Sequence, residues 1–146
     1  MKKILTILCL LIILTTGCQN GQERFHLDKK YYNKGEYINV DDKEFSKIKG
    51  ENYILFTYNN FCNLPKPCEQ IFKKFMKKYN IDFLSISFDK FKKTSLYKTV
   101  KYAPSIIIVK EGKIVTYLDA DNDNDLDKYQ DENKFENWIK SYIYFD

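Results

Sequence analysis

"PSIIIVKEGKIVTYLDA", Pro104 to Ala120, decides how this chain is built. Ile106 to Val109 is an unbroken β-branched run. Glu111 and Gly112 supply turn chemistry, and Lys113 to Leu118 is again rich in β-branched and aromatic residues. The pattern predicts a hairpin, with strands over 105–109 and 113–118. Upstream, "NYILFTY", Asn52 to Tyr58, is almost continuously apolar, as expected of a central strand covered on both faces. "IDFLSISF", Ile81 to Phe88, alternates loosely and predicts another strand, and "EYINV", Glu36 to Val40, a short first one.

Helical patterns fill the gaps. After Asp41 or Asp42 as N-cap, Phe45 and Ile48 lie three apart and Gly50 is a stop. "FCNLPKPCEQIF", Phe61 to Phe72, leads into the main helix. Pro67 disfavours the α conformation at Lys66 and suits a first helical position, so a helix should start there. Its apolar stripe is Ile71, Phe72, Phe75 and Met76, and Asn80 is a plausible end. "DKFKKTSLYKTV" predicts a short basic helix with Phe91 and Leu96 inward. Phe135, Trp138, Ile139 and Tyr142 predict a closing helix. The order β-α-β-α-β-α-β-β-α implies an α/β domain, a mixed sheet with helices on both faces.

At 146 residues the chain suits one domain, and its 16% aromatic content argues against disorder. The N-terminus stands apart. "MKKILTILCLLIILTTGC" has Lys2 and Lys3, an apolar run from Ile4 to Leu14, then small residues, the pattern of a secretory signal. "LTTGC", Leu14 to Cys18, resembles a bacterial lipobox, with Thr15 where leucine is usual. That resemblance implies cleavage before Cys18, lipidation of its thiol, and an extracytoplasmic protein anchored to the membrane. The alternatives are an ordinary cleaved signal or an uncleaved anchor. Expected boundaries are therefore a signal over 1–17, a lipidated cysteine and polar tether over 18–35, and the domain over 36–146. Loss of Lys2 and Lys3 lowers the formal charge from +4 to +2, too little to argue for nucleic acid as a partner. His26, in the tether, is read as a solvated side chain.

Cys9 leaves with the signal and Cys18 is committed to lipid, so Cys62 and Cys68 remain. Outside the cell they are expected to be bonded to each other at least part of the time.

A buried strand, cysteines, a helix, and later an Ala-Pro dipeptide, a strand, the "KEGK" turn, a strand and a helix together resemble the thioredoxin family. The likeness runs from about Tyr37 to Tyr144. It implies a three-layer α/β/α fold with a mixed central sheet. It further implies that Cys62 and Cys68 are a redox pair, and that Pro104 follows a cis bond facing them. Phe61, Ala103 and Pro104 would then shape a substrate groove. Three departures stand out. Five residues separate the cysteines instead of two, Phe61 replaces the usual tryptophan, and Phe56 falls where the family keeps a buried carboxylate.

Which thiol attacks is open on physical grounds. Pro67 places Cys68 at the helix N-terminus, where unpaired N–H groups and the dipole favour an anion, and Lys66 could lower either pKa. The family position favours Cys62 as attacker and Cys68 as resolver. Whether the pair exchanges or only staples is also open, since closing so short a ring contributes about 2 kcal/mol without any catalysis.

"DADNDNDLD", Asp119 to Asp127, resembles a calcium loop, but neither register is complete: Leu126 stands at the glycine position in one and Gln130 at the twelfth place in the other. It is read as a solvated acidic loop or a docking surface for a basic partner, and no metal or cofactor is expected. The resemblance as a whole implies thiol–disulfide exchange on exported cysteine-containing proteins or peptides, recycled by a membrane redox partner. Size, signal and acidic stretch are similar to those of small thioredoxin-like proteins that accompany bacteriocin export. The competing expectation is a redox-inactive accessory protein of the same fold with a structural Cys62–Cys68 bond.

Overall fold

The computed structural model describes residues 23–59 and 67–145. The signal segment, Cys18, Phe61 and Cys62 lie outside the described residues. Strands β1 (Tyr37–Asn39), β2 (Tyr53–Tyr58), β3 (Phe83–Ser87), β4 (Ser105–Lys110) and β5 (Lys113–Asp119) form one sheet in the order β1-β3-β2-β4-β5. β3 is parallel to both β1 and β2, while β4 is antiparallel to β2 and to β5. Leu55 sits beside Leu84 on one side and Ile107 on the other. This central position explains the unbroken apolar runs: Ile54, Leu55 and Ile106 to Val109 are fully buried, because helices cover both faces.

On one face, α1 (Asp42–Phe45) and α3 (Phe88–Phe91) run into 3-10 turns over Ser46–Ile48 and Ser95–Lys98. Asp41 caps α1 by accepting from the Lys43 and Glu44 amides, and Glu44 reaches back to the Asp41 amide, a reciprocal cap. Phe45 meets the ring of Tyr53 edge-on at 6.0 Å. The other face carries α2 (Cys68–Tyr79), α4 (Asp123–Gln130) and α5 (Glu132–Lys140). Pro67 is the N-cap of α2, and Asn80 ends the helix in the left-handed region at φ 51°. Ile71, Phe72, Phe75 and Met76 are buried, and Phe72 lies between Phe56 of β2 (5.4 Å) and Phe135 of α5 (4.7 Å). The hairpin turn has Glu111 and Gly112 at positive φ, and a Cβ on Gly112 would fall 1.8 Å from the Lys49 carbonyl oxygen.

Three expectations need correction. The single basic helix after β3 is two short pieces, although Phe91 and Leu96 do point inward. The acidic stretch is not a loop throughout. Asn122 caps α4 through the Asn124 amide, and Asp123 and Asp125 occupy the first turn, where the helix dipole favours carboxylates. Two of its aspartates have lysine partners, Asp125 and Asp127 sharing Lys128 and Asp127 also pairing with Lys134.

The third correction concerns the tether. From Phe25 onward the chain belongs to the domain. Phe25 exchanges backbone hydrogen bonds with Tyr142 and Tyr144, both at 2.9 Å, and Phe25, Leu27 and Tyr31 are buried. His26, exposed, stacks on Tyr144 at 5.1 Å. Asp82, 2% exposed, accepts from the Lys34 and Glu36 amides and the Asn33 side chain, fastening the approach to β1. The overlooked signal was the alternation Phe25-His26-Leu27, too short to register as a period.

Candidate functional site

The site forms where β2 ends and β4 begins. Register pairs Thr57 with Ser105, and the Ser105 amide donates to the Thr57 hydroxyl at 3.2 Å. Immediately before Ser105, the bond between Ala103 and Pro104 is cis. Asn59, just past β2, donates from its side-chain amide to the Ala103 carbonyl at 2.9 Å. The chain just past β2 is thus bonded to the proline loop. Tyr102, one residue further back, is half exposed at the rim.

Cys68 is the first residue of α2, only 2% exposed. Pro67 sets this position, since the helix cannot extend backward through it. The charge of Cys68 would oppose the ionisation of two tyrosines. One is Tyr129 of α4, fully buried, whose hydroxyl lies 2.9 Å from the Pro104 carbonyl oxygen and 2.8 Å from that of Leu118, donating to them. Burial, then the neighbouring Cys68, Asp119 and Asp125, push its pKa well above the ordinary tyrosine value, so it stays a donor. The other is Tyr37 of β1, stacked on Phe56 at 5.5 Å. Phe56, where the resemblance expected a carboxylate, is a buried aromatic platform.

Tyr129 therefore ties the proline loop to the aromatic layer, its ring meeting Phe72 at 5.9 Å and Phe72 meeting Phe56 at 5.4 Å. The fold is that of thioredoxin. Solved structures with this architecture include a mutant thioredoxin from Halobacterium salinarum NRC-1 (TM-score 0.58, 15% identity, 78% of this chain and 96% of that one). They also include thioredoxin from Schistosoma mansoni (0.53, 22% identity, 76% and 99%). A third is thioredoxin f2 in complex with ferredoxin:thioredoxin reductase (0.52, 20% identity, 74% and 98%). No protein-family model and no curated protein matches the sequence.

Within the thioredoxin fold, Cys68 opens α2 and Ala103 and Pro104 immediately precede β4, while Phe61 and Cys62 lie outside the described residues. Asn59, Tyr129 and Tyr37 were not singled out from the sequence. Nothing local marks them, because their roles arise from contacts across 44, 25 and 19 positions respectively. Among the described residues, no group of three or more His, Cys, Asp and Glu side chains could hold a metal ion, and no helix is long and apolar enough to cross a membrane.

Proposed function

We propose that this chain is a thiol–disulfide oxidoreductase, held outside the cytoplasm by a lipid on Cys18, that acts on exported cysteine-containing proteins or peptides through Cys62 and Cys68. The observation that carries the chemistry is Cys68 at the start of α2, electrostatically coupled to Tyr129, whose hydroxyl donates to the carbonyl of the cis Pro104. One cysteine thiolate attacks a substrate disulfide, forming a mixed disulfide and releasing one substrate thiolate, which takes up a proton. The second cysteine, as thiolate, then attacks the mixed disulfide. The Cys62–Cys68 bond forms, the second substrate thiolate leaves, and two electrons have passed from protein to substrate. The reverse sequence oxidises a substrate dithiol. A membrane redox partner carrying a dithiol or disulfide would reset the pair. Anchoring rests on the sequence of the first 18 residues.

A second reading is favoured by the deep burial of Cys68 and the apolar Phe56 beneath the site: a redox-inactive accessory protein with a structural Cys62–Cys68 bond. Insulin reduction by the full chain, beside Cys62→Ser and Cys68→Ser, separates the two. Exchange predicts turnover lost in both variants and a mixed disulfide trapped by one. Turnover no better than free dithiol, with a large drop in melting temperature in both variants, would establish the staple instead.

A further inference from the structure

Of the two tyrosines electrostatically coupled to Cys68, Tyr129 has its hydroxyl proton committed and Tyr37 does not. Tyr129 donates to the Pro104 and Leu118 carbonyls. The Tyr37 hydroxyl is buried and has no hydrogen-bond partner among the described residues. A buried O–H without a partner costs free energy, so its retention at this spot calls for an acceptor that is present only part of the time. The ring is fixed by its stack on Phe56, and Lys73 of α2 lies 5.9 Å from its centroid. It lines a cavity of about 210 Å³ with Asn39, Phe56, Tyr58, Glu69 and Ser85, beneath the first turn of α2. Three of these polar groups are already occupied: Ser85 donates to Asn39 at 2.6 Å, and Glu69 pairs with Lys73 at 3.5 Å.

We propose that the Tyr37 hydroxyl is the hydrogen-bond donor that stabilises the Cys68 thiolate during exchange. The inference deepens the exchange reaction proposed above and rests on it. Cys68 loses its proton to solvent base, the negative charge stays on sulfur, and Tyr37 keeps its own proton while turning its O–H toward the sulfur. No electrons move in this step. Burial, with Glu69 and Cys68 adding, holds the Tyr37 pKa far above its ordinary value, so the phenol remains a donor at every pH where the thiol ionises. Among the described residues, the titratable groups facing this region include Tyr37 from β1, Tyr58 from β2, Glu69 and Lys73 from α2, Tyr129 and Asp125 from α4, and Asp119 at the end of β5. Tyr37 brings a hydrogen bond to a cysteine whose neighbouring strand position, Phe56, can make none.

The test is an NMR titration of isotope-labelled Cys68 Cβ in the full chain in detergent, with Cys9, Cys18 and Cys62 replaced by serine. Tyr37→Phe should raise the Cys68 pKa by about one unit, roughly tenfold less thiolate at a given pH. Its melting temperature should be unchanged or higher, because an unpartnered buried hydroxyl is gone. An unchanged Cys68 titration overturns the assignment, and so does a shift of equal size in Tyr129→Phe, which would report general loosening. If Tyr37→Phe fails to fold, the labelled Tyr37 Cζ signal of the parent protein decides: it must move as Cys68 titrates, and a flat response overturns the proposal. Absence of insulin reduction with a shifted Cys68 pKa would remove the enzymatic reading and leave the hydrogen bond standing.

Discussion

Tyr129 carries more of the site than any residue chosen from sequence. Its hydroxyl lies between two carbonyls, Pro104 on one side of the hairpin and Leu118 on the other. Pro104 and Leu118 are themselves buried, as is the Tyr129 ring. Tyr129→Phe therefore leaves buried acceptors without this donor, at a cost of about 1–3 kcal/mol. Thermal unfolding followed by circular dichroism should show a fall of about 3–10 °C; a change under 1 °C would mean other donors serve these carbonyls. Residue-scale roles of this kind were illegible in the sequence. A tyrosine six positions before Phe135 looks like any core aromatic, and only the fold brings its oxygen to the proline loop. The cis bond before Pro104 was expected only through the resemblance of its segment to the thioredoxin family, not from the residues alone.

Among the elements, the helices that read clearly have explicit boundaries. Pro67 and Asn80 bracket α2, and the stripe between them is buried as its spacing implied. α4 was missed because only Tyr129 among its eight residues is buried, so no apolar period exists to find. What joins this layer at its edge is partly polar. Glu136 of α5 accepts from Lys78 at 2.7 Å and Tyr79 at 2.6 Å in α2, and from Lys140 at 2.7 Å. Lys140 first, then Lys78 and Tyr79, lower its carboxyl from 4.5 to about 2. A depressed folded value means the contribution is complete above about pH 4.5 and disappears as pH falls toward 2. Glu136→Gln should remove about 1 kcal/mol near neutral pH, after allowing for solvent screening at this rim. Urea unfolding across pH 2–7 should then converge for the two proteins at the acid end; a constant gap across that range would contradict this linkage.

At the scale of the whole molecule, the domain begins earlier than composition suggested. Polar residues around Phe25 and Leu27 disguised a segment whose two apolar side chains close the bottom of the core. Pairing with residues near the other end of the chain supplies the hydrogen bonds that a short, unperiodic stretch could not provide for itself. A tether would tolerate Phe25→Ala without effect. The structure instead predicts a loss of about 3 kcal/mol, measured by denaturant unfolding, from the cavity and the lost transfer free energy. Stability within 0.5 kcal/mol of the parent, about the limit for a surface substitution, would return this segment to the role composition suggested.

The clasp of Phe25 against Ile143 has an orientational consequence. The Asp28 amide bonds to the Asn52 carbonyl at the start of β2, whereas Asn59 and Pro104 stand at that strand's far end. Only seven positions separate Cys18 from Phe25, a reach of at most about 25 Å. With a lipid on Cys18, as proposed, the body would sit low over the bilayer with its Asn59 and Pro104 end turned skyward, presented to polypeptides emerging into the surrounding medium.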